Sequence, residues 1–343
     1  MGTDAQRAGR TPFRLFWAHV RSLWPRAPLL PLAPPVLWCA YSLARGEYHR
    51  WELWLLLLLL PALAWGTQAT KRFFVGMYPV VLVGLLYDAM RFVQHVGVSP
   101  ERVHVCDLRD LELRWFGIRH GTGAITLQDW LQAHWLPALD ALAAIPYGTY
   151  LFVVIGYALY LYRKDFTGLQ RYAWTFFALN VVGFLTYKLV PAAPPWYYHH
   201  YGCVVDVAAP ASEGPNLARV DAWLGYAYFH GLYGRSHNVF GAVPSLHVSY
   251  PLLIVFEGWN KHRLPGRAAA VAFFASMCFA AVYLDHHWVV DVLLGVAYCV
   301  IVYATVRAVF QLRAARATAA LPIRGPANAD PVLARVGPPA AGR

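Results

Sequence analysis

Charged side chains are scarce in this chain. Only 14% of its 343 residues are Asp, Glu, Lys or Arg, against about 25% in an ordinary soluble domain. That shortage excludes a water-soluble fold of usual surface. Cysteine is scarce too, at five residues. No CxxC pair or zinc-ligand spacing occurs, and no HxxH or HExxH, so the familiar zinc motifs are excluded. Internal repeats are absent. So is any basic stripe interleaved with aromatics, which removes nucleic acid as the partner despite a net charge of +11.

What the chain has instead is apolar and aromatic mass. Hydrophobic residues make up 58%, with 14 Trp and 21 Tyr, and such aromatics concentrate at membrane interfaces. A spanning helix needs about 20 mostly apolar residues. Eight stretches are candidates: 28–45, 51–68, 73–96, 140–162, 172–190, 245–260, 267–284 and 288–307. The first is crowded by Pro28, Pro31, Pro34 and Pro35, and Pro61 interrupts the second. The expected fold is therefore all-α, a polytopic transmembrane bundle of six to eight spans.

Basic residues fall between these stretches. With the N-terminus placed inside, Arg7 to Arg26, Lys71-Arg72, Arg163 to Arg171 and Lys261 to Arg267 all lie on the cytoplasmic side. Residues 1–27 then form a basic cytoplasmic N-terminus, 28–310 one membrane-embedded domain, and 311–343 a disordered cytoplasmic tail rich in Ala, Pro and Arg. The long loops 97–139 and 191–244 face outward. Residues 105–136 are expected to form amphipathic helices on that interface. Cys106 and Cys203 fall in these two loops, which leaves a disulfide between them open.

Two short strings carry chemistry. Pro244-Ser245-Leu246-His247 opens the sixth stretch, and His286-His287 precedes Asp291 at the start of the eighth. On the assigned topology both lie at the outer face. His287 and Asp291 are four apart and share a helix face. The carboxylate can accept from imidazole Nδ1–H, fixing the tautomer and freeing Nε2 as a nucleophile. The bland alternative is a His–Asp pair that only ties helices together. His247 in a first helical turn suits a general acid, and the helix start at Ser245 offers N–H groups to a phosphate. Helix capping alone would also explain Pro244-Ser245. Lys188 and Arg235 are the further candidates for gripping a phosphate. Lys188 also suits a lysine snorkelling to the interface. Asp88 and Arg91, three apart, either neutralise each other or meet a headgroup, as Trp196 and His286 would. His199, His200, His230 and His237 share the second outer loop without metal-ligand spacing. Neither metal nor cofactor is expected.

These strings resemble the second and third signatures of the type 2 phosphatidic acid phosphatase superfamily. The resemblance implies that His287 is the nucleophile, Asp291 orients it, and His247 is the general acid. Within that superfamily the chain is similar to the inositol phosphorylceramide synthase branch. The similarity runs through Pro191-Ala192-Ala193-Pro194-Pro195-Trp196, Phe240-Gly241-Ala242-Val243-Pro244-Ser245-Leu246-His247, Tyr283-Leu284-Asp285-His286-His287, the Asp88/Arg91 pair and Leu111 to Gly117. The superfamily's first signature survives as Lys188 with Pro194-Pro195, without its arginine. The arginine of the third signature, six before the histidine, is Ala281. The branch shares both departures. The resemblance implies a membrane phosphotransferase that moves a phospho-headgroup from a phospholipid, with phosphatidylinositol as donor, to a lipid alcohol such as ceramide. The active site would face the periplasmic or luminal side. A lipid phosphate phosphatase using water has the same residues. A transporter or scaffold lined by these polar groups is the non-enzymatic alternative.

Overall fold

A computed structural model describes residues 11–209, 216–234 and 239–319. In chain order the elements are α1 (Pro12–Leu23), α2 (Ala33–Ala44), α3 (Trp51–Trp65), α4 (Gln68–Val93), α5 (Cys106–Phe116), β1 (Ile118–His120), β2 (Gly123–Ile125), α6 (Leu127–Ala133), α7 (Pro137–Lys164), α8 (Phe166–Leu189), α9 (Pro195–Tyr201), α10 (Leu217–Leu224), α11 (Tyr228–Tyr233), α12 (Leu246–Gly258), α13 (Leu264–Tyr283) and α14 (Val289–Ala319). The strands form one antiparallel hairpin. The rest is a helical bundle, as the composition predicts.

Among the described residues four helices, α4, α7, α13 and α14, are long and apolar enough to cross a membrane. The 24-residue α8 packs among them. The first two apolar stretches differ from expectation. They make helices of 12 and 15 residues, about 18 and 22 Å long, short of the roughly 30 Å hydrocarbon core. They fold as a hairpin against α4. Arg50 pairs with Asp88 through two hydrogen bonds of 3.0 Å, and Arg91 meets Glu47 at 2.6 Å. Asp88 and Arg91 do touch, at 3.3 Å, and Trp38 donates to Asp88 at 3.0 Å. The hairpin therefore engages both charges, as well as each engaging the other. The expected tail is corrected too: α14 continues as helix through Ala319, and residues 320–343 lie outside the described residues.

α12 is only 13 residues long, and its length sets the depth of the site. One end is fixed by Glu257, which is paired with Arg171 of α8 and with Lys261. Its other end abuts α8 near Gly183, where an added Cβ would meet Leu246 at 2.9 Å. Just over three turns of α8 separate these levels, or roughly 18 Å. The start of α12 is thus sunk within the bundle, below the end of α8 at Leu189. Lys71-Arg72, Arg163 to Arg171 and Lys261 gather at the opposite end, where Arg72 stacks on Phe166 and Lys261 meets Asp165.

A roof covers the recess. It contains α5, the β1–β2 hairpin, α6 and α9, and the disulfide Cys106–Cys203 ties α5 to the loop after α9. Short backbone bridges pair the segment around Ala192 with His104 on one side and Gly241 on the other. The prolines at 191, 194 and 195 keep this segment extended. Its N–H and C=O groups are satisfied by Phe240 O at 3.0 Å and Ala242 N at 3.1 Å.

Candidate active site

The two histidine strings converge in the recess. His247 Nδ1 lies 3.3 Å from His287 Nε2. They are 40 residues apart in sequence, on α12 and on the turn between α13 and α14. That turn is clamped from several directions. The N–H groups of His286 and His287 both donate to Ala281 O, at 3.2 and 2.9 Å. Gln128 of α6 donates to His287 O at 3.1 Å. Trp288 is fully buried and its indole donates to Ala193 O at 3.0 Å.

The tautomer of His287 follows from its surroundings. Nδ1 lies 3.1 Å from the carbonyl oxygen of Ala242, which can only accept, so Nδ1 carries the proton and Nε2 keeps its lone pair. Asp291 Oδ2 stands 3.4 Å from the same nitrogen. The sequence-based expectation gave that hydrogen bond to Asp291. The structure gives it to Ala242 O, which lies nearer, while Asp291 Oδ2 accepts from Trp288 N–H at 2.8 Å. Burial pushes the His287 pKa down to about 4, with the bond to Ala242 opposing the shift. The imidazole is therefore neutral at pH 7.

Aromatic rings enclose His247. Tyr147 of α7 stacks on it at 4.9 Å, Tyr150 meets it edge-on at 5.1 Å, and Tyr233 of α11 lies at 6.1 Å. His286 completes the wall, 4.8 Å from Tyr147 and 5.5 Å from Tyr233. No pattern in the sequence singles out Tyr147 among 21 tyrosines.

Ser245 is fully buried. Its N–H donates to Asp291 O at 3.0 Å, but its hydroxyl has no partner among the described residues and does not cap α12. The start of α14 is different. Glu112 of α5, also fully buried, accepts from Val289 N at 2.9 Å, Val290 N at 3.2 Å and Gln128 Nε2 at 3.1 Å. A carboxylate thus fills the anion site at that helix terminus. The sequence signal for Glu112 is an acid lodged between Leu111 and Leu113. Glu112→Ala leaves three donors without that acceptor. The expected result is a stability loss of about 2 kcal/mol and roughly tenfold slower turnover, with Glu112→Gln intermediate. Thermal unfolding and kcat check this.

Other expected residues sit elsewhere. The Lys188 ammonium donates to Gln94 O at 2.9 Å, at the end of α4. Its neighbour Tyr187 instead donates to Pro244 O at 2.9 Å, since adjacent helical positions point about 100° apart. Trp196 packs into the roof with Val103, Val105, Tyr197 and Phe240, and its backbone N–H donates to Asp285 O at 3.0 Å. Arg235 and His237 lie outside the described residues. Position 281, an arginine in the superfamily signature, is a fully buried alanine of α13 in the apolar core shared with α7.

Asp285, next to the histidines, leads outward through a charge chain. Its Oδ2 lies 2.6 Å from His199 Nδ1, and His199 Nε2 lies 2.8 Å from Asp129 Oδ1, which in turn faces Arg109 at 3.3 Å. Burial alone would lower the His199 pKa, but the hydrogen bonds to Asp129 and Asp285 outweigh it and raise the value to about 9. Asp129 is held well below the usual carboxylate range, against its burial, by His199 and Thr126. A histidine whose folded pKa exceeds its unfolded value of about 6.5 stabilises fully below that unfolded value. The contribution disappears as pH rises through about 9. Between pH 7 and 10 the wild type should lose up to about 3 kcal/mol that His199→Gln never had, read as melting temperature against pH.

Comparisons with known proteins bear on this arrangement. The PAP2 superfamily model matches residues 114–305, which include both histidine strings. The chain belongs to the PAP2 superfamily, a class of membrane enzymes. Within it, the chain falls in the inositol phosphorylceramide synthase-like branch and is a phosphotransferase. It is 34% identical to a phosphoinositol dihydroceramide synthase of Bacteroides thetaiotaomicron, over 66% of this chain and 74% of that one. It is 29% identical to the inositol phosphorylceramide synthase catalytic subunit of Schizosaccharomyces pombe, over 71% of this chain and 56% of that one. The corresponding Saccharomyces cerevisiae subunit is 28% identical over 66% of this chain and 55% of its own. The chain thus spans about half the length of the yeast relatives. No solved structure matches it.

Proposed function

We propose that this enzyme transfers phosphoinositol from phosphatidylinositol to a ceramide-type alcohol through a phosphohistidine at His287. The carrying observation is the 3.3 Å approach of His247 Nδ1 to a His287 Nε2 whose lone pair is free. In the first step Nε2 forms a bond to phosphorus and the bond to the diacylglycerol oxygen breaks. His247, entering the step as imidazolium, gives its proton to that leaving oxygen and becomes neutral. As phosphorus approaches Nε2 it takes the place of the His–His hydrogen bond and turns the His247 proton toward the leaving oxygen. In the second step the ceramide oxygen bonds phosphorus, the N–P bond breaks, and His247 takes the hydroxyl proton. Asp291 stabilises the positive charge that His287 acquires, from 3.4 Å.

The phosphate is received at Ser245, whose buried hydroxyl has no partner among the described residues, and at the first turn of α12. The start of α14 is already occupied by Glu112. Burial favours a lipid alcohol over water as acceptor: His287 is 5% exposed and Asp291 is fully buried. Donor and acceptor follow the names of the Bacteroides and yeast relatives. The basic segments at the far end support a periplasmic or luminal site, by the distribution of Lys and Arg.

A product assay on the purified chain tests this, with a panel of headgroup-labelled phospholipids, with and without ceramide. The expected result is labelled phosphoinositol ceramide from phosphatidylinositol, only when ceramide is present. Release of labelled headgroup phosphate without acceptor would instead mark a phosphatase.

A further inference from the structure

The basic end of the bundle carries a feature unused by this chemistry. An open groove of about 370 Å³ lies between the end of α1 and the start of α4, lined by Leu23, Trp24, Arg26, Leu30, Pro31 and Lys71. Among the described residues no acidic side chain lines it. Among the described residues neither Arg26 nor Lys71 has a carboxylate partner. Lys71 gives one hydrogen bond to Leu23 O and sits 4.5 Å over the Trp24 ring, which leaves ammonium protons for another acceptor. Trp24 is held in place by its own bond to Ala64 O at 2.8 Å. Arg26 is exposed at the rim.

Position supplies the other half of the argument. Lys71 is in the first turn of α4, a helix of membrane-crossing length, so the groove opens at headgroup level. α1 leads into it with Phe13 69%, Leu15 51% and Phe16 43% exposed beside Arg14 and Arg21, the composition of a helix lying in a lipid interface. Basic pockets at such helix ends take lipid phosphates. We propose that this groove binds the headgroup of an anionic phospholipid from the leaflet opposite the histidines. Lys71 and Arg26 grip the phosphate, while Leu23, Leu30 and Pro31 face the glycerol and first acyl carbons. The site is independent of which headgroup the enzyme transfers.

The test is native mass spectrometry of the full chain in micelles doped equally with phosphatidylglycerol and phosphatidylcholine. The wild type should retain phosphatidylglycerol preferentially. Arg26→Glu, an exposed position that cannot upset packing, and the pair Arg26→Gln/Lys71→Gln should retain roughly tenfold less. Arg313→Gln/Arg316→Gln, on the exposed end of α14, should retain as much as wild type. Phosphatidylglycerol should also raise the melting temperature of wild type and not that of Arg26→Glu. No preference over phosphatidylcholine, retention by Arg26→Glu, or equal loss in the α14 pair overturns the proposal. So does displacement of the lipid by inorganic phosphate, which would make the groove a free-anion site.

Discussion

Replacing His287 by alanine should lower turnover by about four orders of magnitude or more without unfolding the protein. The turn around it is held by backbone groups that the substitution leaves intact. His287 N still reaches Ala281 O, Gln128 still reaches the residue's carbonyl, and Trp288 N still reaches Asp291. What disappears is the one lone pair that faces His247. In a reaction quenched during turnover of headgroup-labelled donor, wild type should carry acid-labile, base-stable label on the protein. His287→Ala should carry none. Activity above about one per cent of wild type in that variant, or label on another residue, removes His287 as nucleophile and with it the proposed two-step transfer.

The second large effect is remote from the reacting atoms. Gly295 of α14 lies where α12 starts. A Cβ there would collide with the Ser245 carbonyl oxygen and come within 3.1 Å of its carbon and 3.3 Å of its nitrogen. These are backbone atoms, with no side-chain rotation to relieve them. Ser249 Oγ already donates to Gly295 O at 2.9 Å, and Ser245 N to Asp291 O at 3.0 Å, so the two helices are seated against each other here. Gly295→Ala should push them apart, costing about 1–3 kcal/mol of stability. Because His247 and His287 ride on the two sides of this contact, a shift near 1 Å should cut kcat about 100-fold. Gly156→Ala, on α7 where an added Cβ meets nothing within 4 Å, is the control and should be silent in both readouts. Equal behaviour of the two variants would show that the α12–α14 seam does not set the histidine geometry.

Much of this protein is legible from local composition. The four long apolar helices, the helices of the 105–136 stretch and the polar strings at helix starts all follow from runs of side chains. The failures share one cause. The stretches at 28–45 and 51–68 are apolar enough to span, yet fold as a short hairpin, because the paired charges of Glu47, Arg50, Asp88 and Arg91 set where it stops. Lys188 looks aimed at the site by its place before the proline run, but one helical step turns it onto α4 and gives Tyr187 the contact with Pro244.

The sequence by itself determined the solvent this chain lives in, the residue types that can carry a phosphoryl group, and the end of the bundle where they gather. Apolar run length and the spacing of His287 and Asp291 are properties of neighbouring positions, so no packing is needed to read them. Only the tertiary structure decided which atoms meet: Ala242 O on His287, Glu112 at the start of α14, and Tyr147 against His247. Those contacts join segments up to 178 residues apart, and a pairing at that separation depends on how whole helices seat against one another.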